Sequence, residues 1–228
     1  MSMIDTPMAV TVADARADLY GLLAAALDGE TAVLAAAMCD GSLVDVAATL
    51  PVEIDASALE REDVDEEALS IAFDNLFVVP GPKYVPPIAS AHRDDPSEPF
   101  ESDSPFHDEG SAGELLGDPA STMSALYERA GFQPQRGEFP DHVAAQLEFL
   151  GAAARAEARA LEDGDDERAR AERFRTLQRE TLGRLGWLDA FHEDVAAADG
   201  RDGVYTALVT VTRTVTAWHA RDLEESDR

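Results

Sequence analysis

Residues 137–156 read GEFPDHVAAQLEFLGAAARA, and the fold prediction starts from this stretch. The apolar residues after His142 recur at helical spacing, which predicts a helix with one inward face. That face carries Val143, Leu147, Leu150 and Ala154. Asp141 precedes the helix, where a carboxylate can accept hydrogen bonds from the free amides of the first turn. Asp141 and His142 are therefore a helix cap, a pair of reactive groups or a recognition point for another chain.

Helical periodicity also covers the first third of the chain. Helices are predicted over residues 12–28, over residues 31–50 with a break near Gly41, and over residues 66–79. The sequence Pro-Gly-Pro then stops the third helix, since proline cannot continue the hydrogen-bond ladder. A long loop rich in proline, serine and acids is predicted from about residue 80 to 113.

Helical signals also mark the second half of the chain, without an internal repeat. Asp118 and Pro119 predict a helix start, and Gly131 predicts its end. An acidic turn is expected at residues 162–167, followed by one helix with an apolar stripe. This stripe carries Phe174, Leu177, Thr181, Leu185 and Leu188.

The last segment, residues 204–223, is ambiguous. Its VTVTRTVT core alternates and is β-branched, which favours a strand, yet Tyr205, Leu208, Thr212 and Val215 keep helical spacing. Because no partner strand is visible elsewhere, helix is predicted. The expected fold is an all-α, single-domain helical bundle over residues 1–228. Its N-terminal helices span about 12–79 and its C-terminal helices about 119–220.

The composition is strongly acidic. The chain has 18 basic and 46 acidic side chains, a formal charge of −28, and 45% apolar residues. This balance argues against a nucleic-acid partner, which requires a basic surface. It favours adaptation to a very salty cytoplasm, because molar salt screens the repulsion between the acids.

Features that would indicate export or membrane insertion are absent from the pattern. The first residues, MSMIDTPMAV, lack the basic region and apolar run of a secretory signal, and no stretch approaches the ~20 apolar residues of a membrane span. A soluble, cytoplasmic protein is expected. Cys39 is the single cysteine, so no internal disulfide forms, and its apolar neighbours favour a buried, inert thiol.

The chemistry-bearing residues give little support to an enzyme. The five histidines are scattered without metal-ligand spacing, and no nucleophile elbow or glycine-rich phosphate loop occurs. No metal or other cofactor is expected. A small hydrolase or a metal protein therefore fits the sequence poorly.

A peptide groove is a second interpretation of the region around residue 80. Leu76 and Phe77 are core residues on the simplest interpretation, or they form one wall of an apolar groove. Pro86 and Pro87 would stiffen the rim of that groove, and Ile88 would add an apolar contact. A stiff rim keeps a groove open at little entropic cost on binding.

Several short motifs then recur in a familiar order. They are the Leu76 and Phe77 pair, VPPIAS at 85–90, LYERAGF at 126–132, PDH at 140–142 with QLEFL behind it, Phe174 and Trp187 with twelve residues between them, and Ala217 before Trp218. In this order and spacing, the chain resembles the TorD/DmsD-type chaperones, which include NarJ-related members, over about residues 14–220. The resemblance implies an all-helical cytoplasmic chaperone that matures molybdenum-containing oxidoreductases.

The resemblance also implies partners and site residues. The expected partners are the twin-arginine leader and the apo catalytic subunit of a DMSO- or TMAO-reductase-type molybdopterin enzyme, bound by a monomer or homodimer until the cofactor is inserted. Leu76, Phe77, Pro86, Pro87, Asp141 and His142 match the family's leader-binding features. A guanidinium pair would be bound by Asp141 first and Glu138 second. The alternative is a NarJ-like chaperone that binds the mature part of a nitrate-reductase-type subunit without a leader.

Three positions depart from the family pattern. Ile88 replaces a common aromatic residue, His92 stands where a tyrosine is common, and Gln146 replaces a common glutamate. These departures leave the client enzyme open.

Overall fold

The computed structural model describes residues 5–92, 118–163 and 168–226, and it is all-α as predicted. No strand occurs among these residues, and one isolated bridge joins Ile88 and His142. The helices in these ranges are α1 (Asp5–Leu27), α2 (Thr31–Cys39), α3 (Ser42–Thr49), α4 (Glu66–Phe73), α5 (Asp118–Ala130), α6 (Val143–Glu162), α7 (Arg168–Leu182), α8 (Leu188–Asp199) and α9 (Val204–Ser226).

Helix α6 runs through the middle of the bundle, packed along α1 and against α7. Buried residues cover most of its circumference, and the exposed residues after its first turn, such as Ala152 and Arg159, fall in one stripe. Gly151 allows the close approach of α1, because a Cβ there would lie 3.3 Å from the carbonyl oxygen of Ala17. Residues 143–156, predicted as a helix with one inward face, thus belong to the central helix of the bundle.

A buried carboxylate joins three of these helices. Glu157 of α6 is 0% exposed, and its Oε1 accepts a hydrogen bond from Arg175 Nε at 2.7 Å. Its Oε2 accepts from Arg16 Nη2 at 3.2 Å and from Gln178 Nε2 at 2.9 Å. Both carboxylate oxygens are therefore satisfied by donors from α1 and α7, which fixes the register of α6 between them.

Helix α9 confirms the helical interpretation of the ambiguous last segment. Its threonine hydroxyls donate to carbonyls four residues earlier, from Thr212 to Leu208 at 2.8 Å and from Thr216 to Thr212 at 2.8 Å. These bonds satisfy buried hydroxyls inside a helix. The alternating β-branched pattern is thus compatible with a helix that packs on α8.

The helix predicted over residues 66–79 is not regular to its end. After Phe73 it widens into a π-helical turn, Asp74–Val78, closed by a 2.7 Å bond from Val79 N to Asp74 O. The wider turn buries Leu76 and Phe77 together and leaves Val78 and Val79 about half exposed. Such turns insert one extra residue into a helix and are not visible in a 3.6-residue periodicity.

The single helix predicted through residue 188 is wrong. Helix α7 ends at Leu182, and a turn containing Gly183 and Gly186 separates it from α8. Leu185 and Leu188 are nevertheless buried, as the apolar stripe predicted. The stripe continues across the turn because both helices cover the same core.

Other expectations have mixed outcomes. Cys39 is exposed at the end of α2, so the expectation of a buried thiol is wrong.

The predicted loop is described only to residue 92, and residues 93–113 lie outside the described ranges, as do residues 164–167 of the acidic turn. No single helix in the described part of the chain could cross a bilayer, although α2 and α3, bent by 75°, pass the length and composition test as a pair.

We predict that Glu157→Gln lowers the free energy of unfolding by about 3 kcal/mol, because the buried Arg16 and the partly buried Arg175 lose their shortest ion pair and keep only longer contacts to Asp222 and Glu172. Urea unfolding at constant salt measures the loss. Glu180→Gln is the matched control, since Glu180 pairs with Arg129 at the surface and should cost at most about 1 kcal/mol. Equal losses in the two variants would contradict the role assigned to Glu157.

Candidate functional site

The 84–92 segment, which follows the π-helical turn, lies against the N-terminus of α6. Val143 N donates to Pro87 O at 2.9 Å, and Ala89 N donates to Asp141 O at 3.1 Å. These two bonds fasten the segment to the start of α6 like a short two-stranded pairing. We call this contact the seam.

Asp141 is buried in the seam, with 1% of its surface exposed. Its Oδ2 accepts a hydrogen bond from Ser90 N at 2.9 Å, whereas Oδ1 is buried and has no partner among the described residues. The prediction that Asp141 caps α6 is therefore wrong. Its carboxylate instead holds the backbone of the 84–92 segment.

His142 is the residue that caps α6. Its Nδ1 accepts a hydrogen bond from Ala144 N at 3.1 Å, which requires that nitrogen to be unprotonated. Burial lowers the pKa of His142 to about 4, although the neighbouring Asp141 carboxylate acts to raise it. Gly137 makes room for the ring, because it has a φ of +74° and a Cβ there would lie 2.8 Å from the His142 Cβ.

Leu76 and Phe77 lie in the hydrophobic core. They are 1% and 5% exposed, and the Phe77 ring packs on Phe191 and Tyr205 with ring centroids 5.9 and 5.5 Å apart. Leu76 O accepts from Val85 N at 2.7 Å, which ties the 84–92 segment to the π-helical turn. In this conformation neither side chain is open to a peptide, and their assignment as binding residues stays a prediction.

The remaining predicted residues lie around the seam. Pro87 is buried, Pro86 and Ile88 are partly buried, and Glu138 is exposed on the turn before α6. The structure thus brings Pro86, Pro87 and Ile88 next to Asp141 and His142 through the seam. Their role in peptide binding also stays a prediction.

His92 joins the end of the 84–92 segment to α8. Its Nε2 lies 2.7 Å from Pro86 O, and its Nδ1 lies 3.3 Å from an Asp194 carboxylate oxygen. The ring stacks on Trp187, with centroids 5.5 Å apart and planes inclined by 18°. Both partners are acceptors, so the ring donates to both at once only when it carries two protons.

Beside His92 opens a cleft of about 710 Å³, the volume of a small-ligand or side-chain site. It lies between the 84–92 segment, the first turns of α5, the N-terminal part of α6 and the α7–α8 turn. Its lining residues are Ala89, His92, Asp118, Pro119, Thr122, Met123, Gln146, Gly183, Arg184, Gly186, Trp187, Asp189 and Ala190.

None of the eight sequence-predicted site residues lines this cleft. His92 and Gln146 depart from the family pattern, but neither was predicted as a site residue. One sequence feature could have indicated Gln146. It is a polar residue directly before Leu147, next to the apolar face of α6. Its neighbours in the cleft come from α5 and the α7–α8 turn, which no local pattern places beside it.

A metal site is not formed by the described residues: no three of their His, Cys, Asp or Glu side chains are grouped closely enough to hold an ion. The polar atoms of the seam and cleft instead form hydrogen bonds to backbone groups and to Trp187. This arrangement can bind peptide-like groups, which carry the same donors and acceptors.

Comparison with known families identifies the chain. The model of the family described as "Nitrate reductase delta subunit" matches residues 25–193. This chain belongs to that family. Its members are chaperones of the NarJ and TorD type, which mature redox enzymes, so the family resemblance inferred from the sequence motifs is confirmed.

Other comparisons add less. A crystal structure assigned as a redox enzyme maturation protein from Archaeoglobus fulgidus aligns with 90% of this chain and 93% of its own, at 19% identity and a TM-score of 0.46. No curated protein matches the chain. The membership in the delta-subunit family rests on the match over residues 25–193.

We predict that Asp141→Ala lowers the free energy of unfolding by about 1–3 kcal/mol, because Ser90 N loses its buried acceptor. Asp141→Asn should lower the free energy of unfolding by less than Asp141→Ala, since an amide oxygen can still accept a hydrogen bond from Ser90 N. Urea unfolding of both variants measures the difference. If Asn is as destabilising as Ala, the carboxylate charge and not the hydrogen bond holds the seam.

A second prediction concerns pH. Because the folded-state pKa of His142 lies near 4 and its ordinary value is 6.5, the unfolded chain binds the proton first, and stability is lost as the pH falls from 6.5 towards 4. Between pH 7 and pH 5 this contribution is about 2 kcal/mol. His142→Asn keeps a good cap without a titrating ring, so its stability should fall less over that range.

The difference in stability between the wild type and His142→Asn reports on His142 alone. The buried His219 and the partly buried His192 also have lowered pKa values, but they are present in both chains and cancel in the difference. Parallel pH profiles for the wild type and the variant would show that His142 is not buried in its neutral form.

Proposed function

We propose that this chain is a cytoplasmic maturation chaperone that holds the apo catalytic subunit of a molybdopterin oxidoreductase until its cofactor is inserted. The observation that carries the proposal is the extent of the family match. Residues 25–193 include the whole seam and every residue that lines the cleft, from Ala89 to Ala190. The part of the chain related to maturation chaperones therefore contains the best candidate surface for a client.

The proposal favours a client segment other than a leader, as in the NarJ-like alternative. Asp141 is 1% exposed, and Leu76 and Phe77 are buried, so a leader could use these residues only after the 84–92 segment leaves α6. That movement would break the seam hydrogen bonds to Asp141 and Val143. The cleft, in contrast, is open without any such movement.

Recognition of a twin-arginine leader is the second candidate, and the exposure of Glu138 favours it. Its carboxylate lies on the turn next to the seam, where a guanidinium could form a forked hydrogen bond that a lysine cannot reproduce. A DMSO- or TMAO-reductase-type client would supply such a leader.

The experiment that separates the two is a binding assay with the catalytic subunit of a molybdenum enzyme from the same organism. The apo subunit is prepared with its leader, without it, and with the arginine pair replaced by lysine. Calorimetry in about 1 M potassium chloride suppresses long-range charge effects, because the screening length is then about 3 Å. The cofactor-loaded subunit is the control for release.

We predict that removal of the leader changes the dissociation constant by less than about threefold, which is below 1 kcal/mol. The cofactor-loaded subunit should bind at least about tenfold more weakly than the apo form, a difference of 1.4 kcal/mol. Binding that requires the arginine pair would favour the leader candidate. Equal binding of the apo and loaded subunits, or no binding of either, would overturn the chaperone proposal.

A further inference from the structure

The cleft is lined by a buried side-chain amide, that of Gln146, whose N–H groups have no acceptor among the described residues. Gln146 is 1% exposed, and its Oε1 accepts a hydrogen bond from Trp187 Nε1 at 3.3 Å. An indole nitrogen only donates, so the amide cannot be flipped, and Nε2 must be the atom turned away from Trp187. That Nε2 is buried without an acceptor among the described residues.

The Gln146 Nε2 atom, which has no acceptor among the described residues, belongs to a residue that lines the cleft, where a ligand can reach it. Buried polar groups in folded proteins nearly always have a partner, and one without a partner lowers stability. A ligand oxygen in the cleft would supply the missing acceptor. Gln146 therefore selects for a carbonyl or carboxylate oxygen and against a second donor.

The rim of the cleft adds a positive charge. Arg184 lies exposed in the α7–α8 turn, and its guanidinium forms no ion pair with any residue that the structure describes. Asp189 lines the same wall but is occupied by Arg213, and Asp118, across the cleft, has an interaction of its own. Because no described residue forms an ion pair with it, the Arg184 guanidinium can pair with an acidic group of a ligand.

The walls between these two donors are apolar. Trp187, Met123, Pro119 and Ala89 line the cleft. Trp187 is 8% exposed and Met123 is fully buried. The cleft volume of about 710 Å³ accommodates a large apolar side chain together with the backbone around it. The occupant must therefore combine an apolar group, a buried acceptor oxygen and a carboxylate nearby.

We propose that this cleft binds an acidic segment of the client, in which an apolar side chain packs on Trp187, a backbone carbonyl accepts from Gln146 Nε2 and a neighbouring carboxylate pairs with Arg184. The inference rests on the proposed function and specifies its binding site. The proposed site selects a negatively charged segment, whereas recognition of an arginine pair selects a positively charged one.

The test uses short acetylated, amidated peptides with one central pair: Leu-Glu, Leu-Gln, Leu-Lys or Ala-Glu. Binding to the full chain is followed by NMR in about 1 M potassium chloride, through the side-chain amide signal of Gln146. We expect the Leu-Glu peptide to shift this signal and to bind about tenfold more tightly than Leu-Lys or Ala-Glu. The affinity of the Leu-Gln peptide should lie between those of Leu-Glu and Leu-Lys, because Leu-Gln keeps the apolar group and the carbonyl but loses the charge.

Two variants and a matched control test the residues. Gln146→Leu and Arg184→Gln should each weaken binding of the Leu-Glu peptide about five- to tenfold. Arg184→Gln should also remove the preference for Leu-Glu over Leu-Gln. Arg173→Gln removes the same charge from an exposed site on α7 that does not line the cleft, and it should leave binding unchanged.

The outcomes distinguish this inference from the proposed function. Equal binding of Leu-Lys and Leu-Glu, or a Gln146 signal that no peptide shifts, would overturn it. Sodium acetate alone that shifts the signal as strongly as the peptide would replace it with a small-anion site. If the apo subunit binds the wild type and Arg184→Gln chains equally well, the chaperone function stands and this cleft is not where the client binds. Peptide binding without any binding of the apo subunit would refute the function and leave the cleft chemistry intact.

Discussion

The packing of α6 between α1 and α7 is the constraint on which the rest of the structure depends. Gly151 allows α1 to approach, and the Glu157 carboxylate accepts donors from α1 and α7. These contacts of Gly151 and Glu157 also set the position of the α6 N-terminus. That position brings Asp141 and His142 to the 84–92 segment and places Gln146 on the floor of the cleft.

The residues that look most like a recognition motif hold the structure together in this conformation. Asp141 binds the backbone of the 84–92 segment, His142 caps α6, and Phe77 fills the core. Their effect on the cleft is indirect, since the segment they hold contributes Ala89 and His92 to its wall. A substitution in this motif can therefore alter binding through the shape of the cleft without any contact to a ligand.

Among the residues that the structure describes, buried polar atoms without a hydrogen-bond partner lie near both ends of α6. Near its C-terminal half, Glu157 has partners for both oxygens, but Arg16 Nε and Gln178 Oε1 beside it have none. Near its N-terminus, Ser90 Oγ, Asp141 Oδ1 and Gln146 Nε2 have none. Of these residues, Gln146 is the one that lines the cleft, so its Nε2 is the unsatisfied atom that a ligand in the cleft can reach.

The sequence by itself determined the all-α class, most helix positions and the family, because helical periodicity and motif order are local properties of the chain. It failed where a contact joins distant residues. Ser90 and Asp141 are 51 positions apart and Gln146 and Trp187 are 41 apart. A carboxylate before a helix looks like a cap until its distant partner is known. Only the tertiary structure decided that Asp141 faces inward and that Gln146 faces a cleft, because packing of separate helices sets which polar atoms find partners.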